Sequence, residues 1–136
     1  MNRDEVEGAI VELENRRAHL NAIEENRAAI AEAAQDMLRG KGTLEALRSA
    51  KAGDEVLVPV GGGTLIRAKL ADAKTVIAGI GTGLSMERGI DEAAKALEER
   101  LASLQGTENR LAQESDRLAS EIQALSGMLR EADTGA

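Results

Sequence analysis

The chain has 136 residues, with 17 basic and 24 acidic side chains, a net charge of −7, and no Phe, Tyr, Trp or Cys. The absence of cysteine excludes disulfides and thiol chemistry. Dispersed negative charge argues against a general nucleic-acid footprint, and no apolar run approaches the roughly 20 residues that span a bilayer.

Without aromatics, 24 alanines and many leucines carry the apolar surface. That suits narrow helix–helix seams better than a thick core. The amino terminus, MNRDEVEG, lacks the apolar centre of a signal peptide. A cytoplasmic protein is the default expectation.

Residues 3–50 read as one long helix, with Val6, Ile10, Leu13, Leu20, Ile23, Ile30, Ala34, Met37 and Leu44 stepping mostly by three and four. Arg17, Arg27 and Lys41 fall at expected apolar positions. The steps from Arg17 to Leu20 to Ile23 predict a local stammer, which would overwind a coiled coil. Gly40 and Gly42 each weaken a helix by about 1 kcal/mol relative to alanine. The sequence leaves open whether the helix runs through Gly40-Lys41-Gly42 or breaks there and resumes through TLEALRSA. Gly53 is a candidate terminator beyond it.

Residues 54–89 read as a double β-hairpin. Val56, Val58 and Val60 alternate with Leu57 and Pro59, the spacing of a strand. Gly61-Gly62-Gly63 permits a reversal, after which Ile66, Ala68 and Leu70 share a face. Thr75–Ile80 and Leu84–Glu87 are the candidate second hairpin, bent at Gly81-Thr82-Gly83 and carrying Val76 and Ile80. Four short strands cannot cover both of their faces. Val56, Val58, Val60, Ile66, Ala68, Leu70, Val76 and Ile80 could pack on the chain's own helices. The small side chains and long helices favour a subunit interface instead.

Residues 90–131 carry a cleaner heptad ladder: Ile90, Ala94, Leu97, Leu101, Leu104, Glu108, Leu111, Ser115, Leu118, Ile122, Leu125 and Leu129. Asp133–Ala136 reads as a frayed tail. Each helix is on the order of 60 Å long at 1.5 Å per residue. The expected fold is therefore α+β: a long antiparallel two-helix coiled coil with two central hairpins, forming one subunit over residues 1–136. That geometry puts Met1 and Ala136 together at the far tip. Val11 and Met128 fall off the seam there and should be exposed. Val6, Ile10, Leu13, Ile122, Leu125 and Leu129 lie beside them, available to a ligand if the coil frays. Periodicity alone favours simple packing for these residues.

The middle of the chain resembles a known family. The residues that carry the likeness are Leu57-Val58-Pro59-Val60-Gly61, Ile66 and Ala68, Gly79-Ile80-Gly81, and Asp91-Glu92-Ala93. Together with the flanking helices they resemble the alpha class of archaeal prefoldin, which has two hairpins. The resemblance implies a hexamer of two alpha and four beta subunits, whose hairpins join into a β-barrel-like body. It implies an ATP-independent co-chaperone, a holdase whose coiled-coil tips bind non-native polypeptides and deliver them to a group II chaperonin. For the residues named above it implies client contact at the tips and subunit contact at the hairpins. The alternative is a purely structural coiled-coil or filament-forming assembly protein without client transfer.

Catalysis, a metal and a cofactor are not expected. His19 is the only histidine and lacks a Ser or Cys partner pattern. No His/Cys cluster has ligand spacing. Gly79-x-Gly81-x-Gly83 is not the dinucleotide fingerprint, and Gly40-Lys41-Gly42-Thr43 is only half a P-loop. Partners of nucleic-acid or membrane type are likewise not expected.

Overall fold

The computed structural model describes residues 1–134. The fold is α+β: helix α1 (Arg3–Leu47), strands β1 (Glu55–Gly61), β2 (Thr64–Lys69), β3 (Thr75–Gly81) and β4 (Leu84–Gly89), then helix α2 (Ile90–Thr134). The chain divides into two compact units. The first holds Met1–Ala33 and the α2 residues from Ser103 onward; the second holds Ala34–Ala102.

In the first unit the two helices run antiparallel along a shared seam. α1 starts where Asn2 caps it: the Asn2 Oδ1 atom accepts the Glu5 N–H at 2.8 Å, and the Asn2 amide donates to the Glu5 carboxylate. The first bond satisfies the Glu5 N–H, one of the donors that a helix start leaves free, and the second is a side-chain contact that holds the cap in place. The α1 residues facing the seam are Val6, Ala9, Leu13, Arg16, Leu20, Ile23, Arg27 and Ile30. They alternate strictly by three and four, so the expected stammer is absent. Ala9 is 8% exposed and Ile10 42%. Arg16, not Arg17, faces α2, where its guanidinium reaches Glu121. A long aliphatic stem lets arginine occupy an apolar seam while its head meets a carboxylate. On α2 the expected ladder faces inward, with Leu118 the most buried residue at 2% exposed and Ser115 also buried.

In the second unit, α1 continues unbroken through Gly40-Lys41-Gly42. Helical backbone bonds on either side override the weak local propensity. α1 ends at Leu47, short of residue 50, in a tightened turn: Arg48 N–H donates to Glu45 O and Ala50 N–H to Leu47 O. Gly53 does not cap α1. It begins the first hairpin, donating to Leu70 O at 2.7 Å.

The strands form two separate two-stranded antiparallel sheets, β1–β2 and β3–β4. Val56 faces Ala68 and Val58 faces Ile66; Val76 faces Arg88 and Ala78 faces Met86. Both hairpins bulge just before the turn and close through two residues of positive φ, Gly62-Gly63 and Thr82-Gly83. That is the φ signature of a type I′ turn, whose twist matches the strands. α2 follows β4 directly and continues as helix to Thr134, beyond the expected end at residue 131. The expected position of Ala136 beside Met1 lies outside the described residues.

The core of the second unit is small: Leu44, Ile90, Ala93 and Ala94, with Leu47, Val76 and Leu97 packed against it. Alanines at the contact let the helices and β3 approach without large side chains.

Candidate functional site

In the first unit, Val6, Ile10, Leu13 and Leu129 line an open groove of about 560 Å3. Arg130 and Asp133 add charge to its lining, with Ser126 and Ala132 completing it. Helical spacing explains the gathering. Val6, Ile10 and Leu13 lie one turn apart on α1, on the edge between the seam and solvent. Leu13 is buried as the floor, Val6 and Leu129 are half-buried, and Ile10 stands open.

The other expected tip residues do not line this groove. Ile122 and Leu125 are half-buried in the seam, while Val11 and Met128 are exposed on the outer surface. Ala132 and Arg130 were missed from the sequence. Continuing the α2 ladder one step past Leu129 would have reached Ala132.

In the second unit the hairpins leave apolar side chains open. On the β1–β2 face that carries Val56, Val58, Ile66 and Ala68, Val58 and Ile66 are exposed and the other two half-buried. Val60, at the bulge, is exposed, and Leu70 is half-buried beyond the strand end. The opposite face carries Leu57 and Leu65, which are more exposed than Val56 and Val58. In β3–β4, Val76 does not stand free for a partner. It packs on the chain's own cluster of Leu44, Ile90, Ala93 and Ala94. Ile80 is exposed, as are Leu84 and Met86. Ile77, on the face away from Val76, is 79% exposed. Alternation carries this signal: if Val76 points inward, Ile77 must point out.

Polar contacts hold the hairpins in place. Arg100 donates to Gly79 O at 3.1 Å, tying β3 to α2. Asp72 accepts from the Thr75 hydroxyl and, at 2.8 Å, from the Lys74 N–H, so its carboxyl is held below the usual range. Beside the seam of the first unit, the Ser115 hydroxyl and Arg27 lower Glu24, and Arg16 with Arg117 lowers Glu121. Among the described residues, no group of His, Cys, Asp and Glu is arranged to hold a metal, and no helix is long and apolar enough to cross a membrane.

The family model for "Prefoldin subunit" matches residues 3–133. Prefoldin subunit alpha of Methanoculleus marisnigri is 34% identical over 104 residues, spanning 75% of this chain and 70% of that protein. Prefoldin subunit alpha of Methanopyrus kandleri is 37% identical over 70 residues, 52% of this chain and 45% of that protein. Among solved structures, the cryo-EM structure of filamentous PFD from Methanocaldococcus jannaschii superposes with a TM-score of 0.57 at 25% identity, covering 93% of this chain and 98% of that one.

Proposed function

This chain belongs to the prefoldin family of co-chaperone subunits, and from that premise we propose that it is the alpha-type subunit of an ATP-independent holdase. Its helix ends bind non-native polypeptides, and the assembled complex passes them to a group II chaperonin. Its hairpins join prefoldin beta subunits, two alpha with four beta.

One observation carries the client-binding part: Val6, Ile10, Leu13 and Leu129 converge on a groove open to solvent, with Val11 and Met128 exposed nearby on the outer surface. An apolar surface with a charged rim suits unfolded segments, which present apolar side chains without fixed geometry. The flexible Met128 thioether adapts to varied clients. Each contact is weak, and several helix pairs on one complex convert weak contacts into avidity by raising the local concentration. The net charge of −7 keeps complexes from associating through their own apolar ends.

The hairpins support the assembly part. Exposed Val58, Val60, Ile66 and Ile80 lie on two-stranded sheets that cannot bury their own faces. Val76 is used inside the chain, so the interface in the second hairpin is built from Ile80 and Ile77.

A second reading has its own support. The likeness to a filamentous prefoldin makes a filament-forming assembly without client transfer a distinct alternative. Light scattering separates the two. A denatured protein is diluted with and without the complex of this chain and its beta partner. Suppressed aggregation at several-fold excess supports the holdase; unchanged aggregation rejects it and leaves the assembly role.

A further inference from the structure

The ion pairs that cross from α1 to α2 are polarised in one direction. In the first unit Arg16 Nε lies 2.7 Å from Glu121 Oε2 and Arg27 Nη2 lies 2.8 Å from Glu108 Oε1; His19 Nε2 lies 3.3 Å from Glu114 Oε1, a contact that is an ion pair only with the imidazole protonated. In the second unit Lys41 Nζ lies 3.3 Å from Glu98 Oε1, and Arg48 Nη2 lies 3.1 Å from Asp91 Oδ1. Among the described residues every such pair puts the basic group on α1 or, for Arg48, on the turn that ends it, and the carboxylate on α2. Whole-chain composition does not require this, because α1 also carries many acids. Its half-buried charged residues Arg16, Arg27 and Lys41 are nonetheless all basic, and the exposed Glu24 meets α2 as the acceptor of the Ser115 hydroxyl rather than of a cation.

We infer that these crossing pairs are a pairing code: they hold α1 to an α2 in one antiparallel register and reject like helices from a second copy. Arg27 and Glu108 are the centre of the code in the first unit. Both occupy apolar-type seam positions, and both are about two-thirds buried, at 30% and 34% side-chain exposure. Sliding the helices by one heptad in one direction sets Arg27 opposite Ser115. Sliding them in the other sets Glu108 opposite Leu20. Either slip strands a charge without its partner, which a partly buried seam tolerates poorly. Parallel, in-register pairing of α1 with the α1 of a second copy would set Arg16 against Arg16 and Arg27 against Arg27. The same pairing of α2 with another α2 would set Glu108 against Glu108 and Glu121 against Glu121. Like charges across a coiled-coil seam exclude such pairings, which is how polar seam residues fix register and partner. An assembly that crowds several helix pairs together needs this discrimination. The crossing pairs act in this way whether or not the groove holds clients.

Three full-length variants test it. Arg27→Glu places three carboxylates together with Glu24 and Glu108, and its melting temperature should fall by roughly 10 °C. The reciprocal exchange Arg27→Glu/Glu108→Arg should recover most of that loss. Arg27→Leu/Glu108→Leu should melt at or above the wild-type temperature, yet populate additional masses in analytical ultracentrifugation and more than one set of amide resonances. If the reciprocal exchange melts as low as Arg27→Glu, charge matching is not what the seam reads. If the Leu/Leu variant keeps the wild-type mass and a single set of resonances, these charges specify neither register nor partner.

Discussion

Leu97 Cδ1 lies 3.3 Å from the point where a first side-chain carbon at Gly40 would stand. Gly40 therefore gives α2 a place to approach α1, while Gly42, two residues on, faces open space. The two glycines that seemed equivalent helix breakers differ in what they contribute. Gly42→Ala should stabilise the chain by about 1 kcal/mol through helix propensity alone. Gly40→Ala should gain less, because Leu97 must yield by a few tenths of an ångström. Urea denaturation midpoints of the two variants check the order.

The seam assignment makes a sharper contrast. Leu118 is the most buried residue of the described core, and Leu118→Ala should cost about 2–4 kcal/mol through lost burial and a residual cavity. Ile10 is open, and Ile10→Ser should change stability by less than about 0.5 kcal/mol. Thermal melts followed by helical circular dichroism measure both. An Ile10→Ser loss as large as that of Leu118→Ala would return Ile10 to the seam in place of Ala9.

That contrast also marks what the residues disclosed unaided. Both hairpins were legible, because glycine runs between β-branched stretches leave few other conformations open. The α2 ladder was legible because leucines mark nearly every turn. α1 was misread at two places for one reason: hydrophobicity pulled Ile10 into the seam and pushed Arg16 out. Close helix approach selects the small Ala9 over the larger Ile10, and the Glu121 carboxylate across the seam makes Arg16 acceptable there. Neither fact is local in sequence. The hairpin site was half legible. Alternation identified one apolar face, but Leu57, Leu65 and Ile77 show that the opposite faces are apolar and open as well. The capping role of Asn2 was visible as Asn-x-x-Glu and overlooked.

Acid should loosen the first unit. Glu121, held by Arg16 and Arg117, and Glu24, held by Ser115 and Arg27, both titrate below their ordinary 4.5 in the folded chain. A carboxylate lowered by folding contributes stability above its unfolded value, and that contribution is lost as pH falls through the lowered folded value. The melting temperature should therefore be level down to about pH 5 and fall progressively below pH 4.5. Glu121→Gln should lower the plateau and flatten the acid limb. An acid limb of unchanged steepness would remove Glu121 from the account.

Assembly through the first hairpin predicts a mutation that separates folding from association. Val58→Asp sets a carboxylate on the Val56–Ile66 face, where burial without a partner costs several kcal/mol. Helix content should be retained, since α1 and α2 do not depend on that strand for their seam. The mass of the complex with the beta partner should fall to that of separate subunits. An undiminished mass would mean that Val58 does not face an interface.

The most direct measurement is client capture by a complex altered only at the helix ends. Ile10→Ser, Val11→Ser and Met128→Ser are combined in one chain, since all three side chains are exposed and outside the packed core. The altered complex should keep the wild-type mass and melting temperature within a few degrees, and should lose most of its suppression of aggregation in light scattering. Suppression equal to that of the wild-type complex, at the same subunit concentration, would contradict client binding at the helix ends.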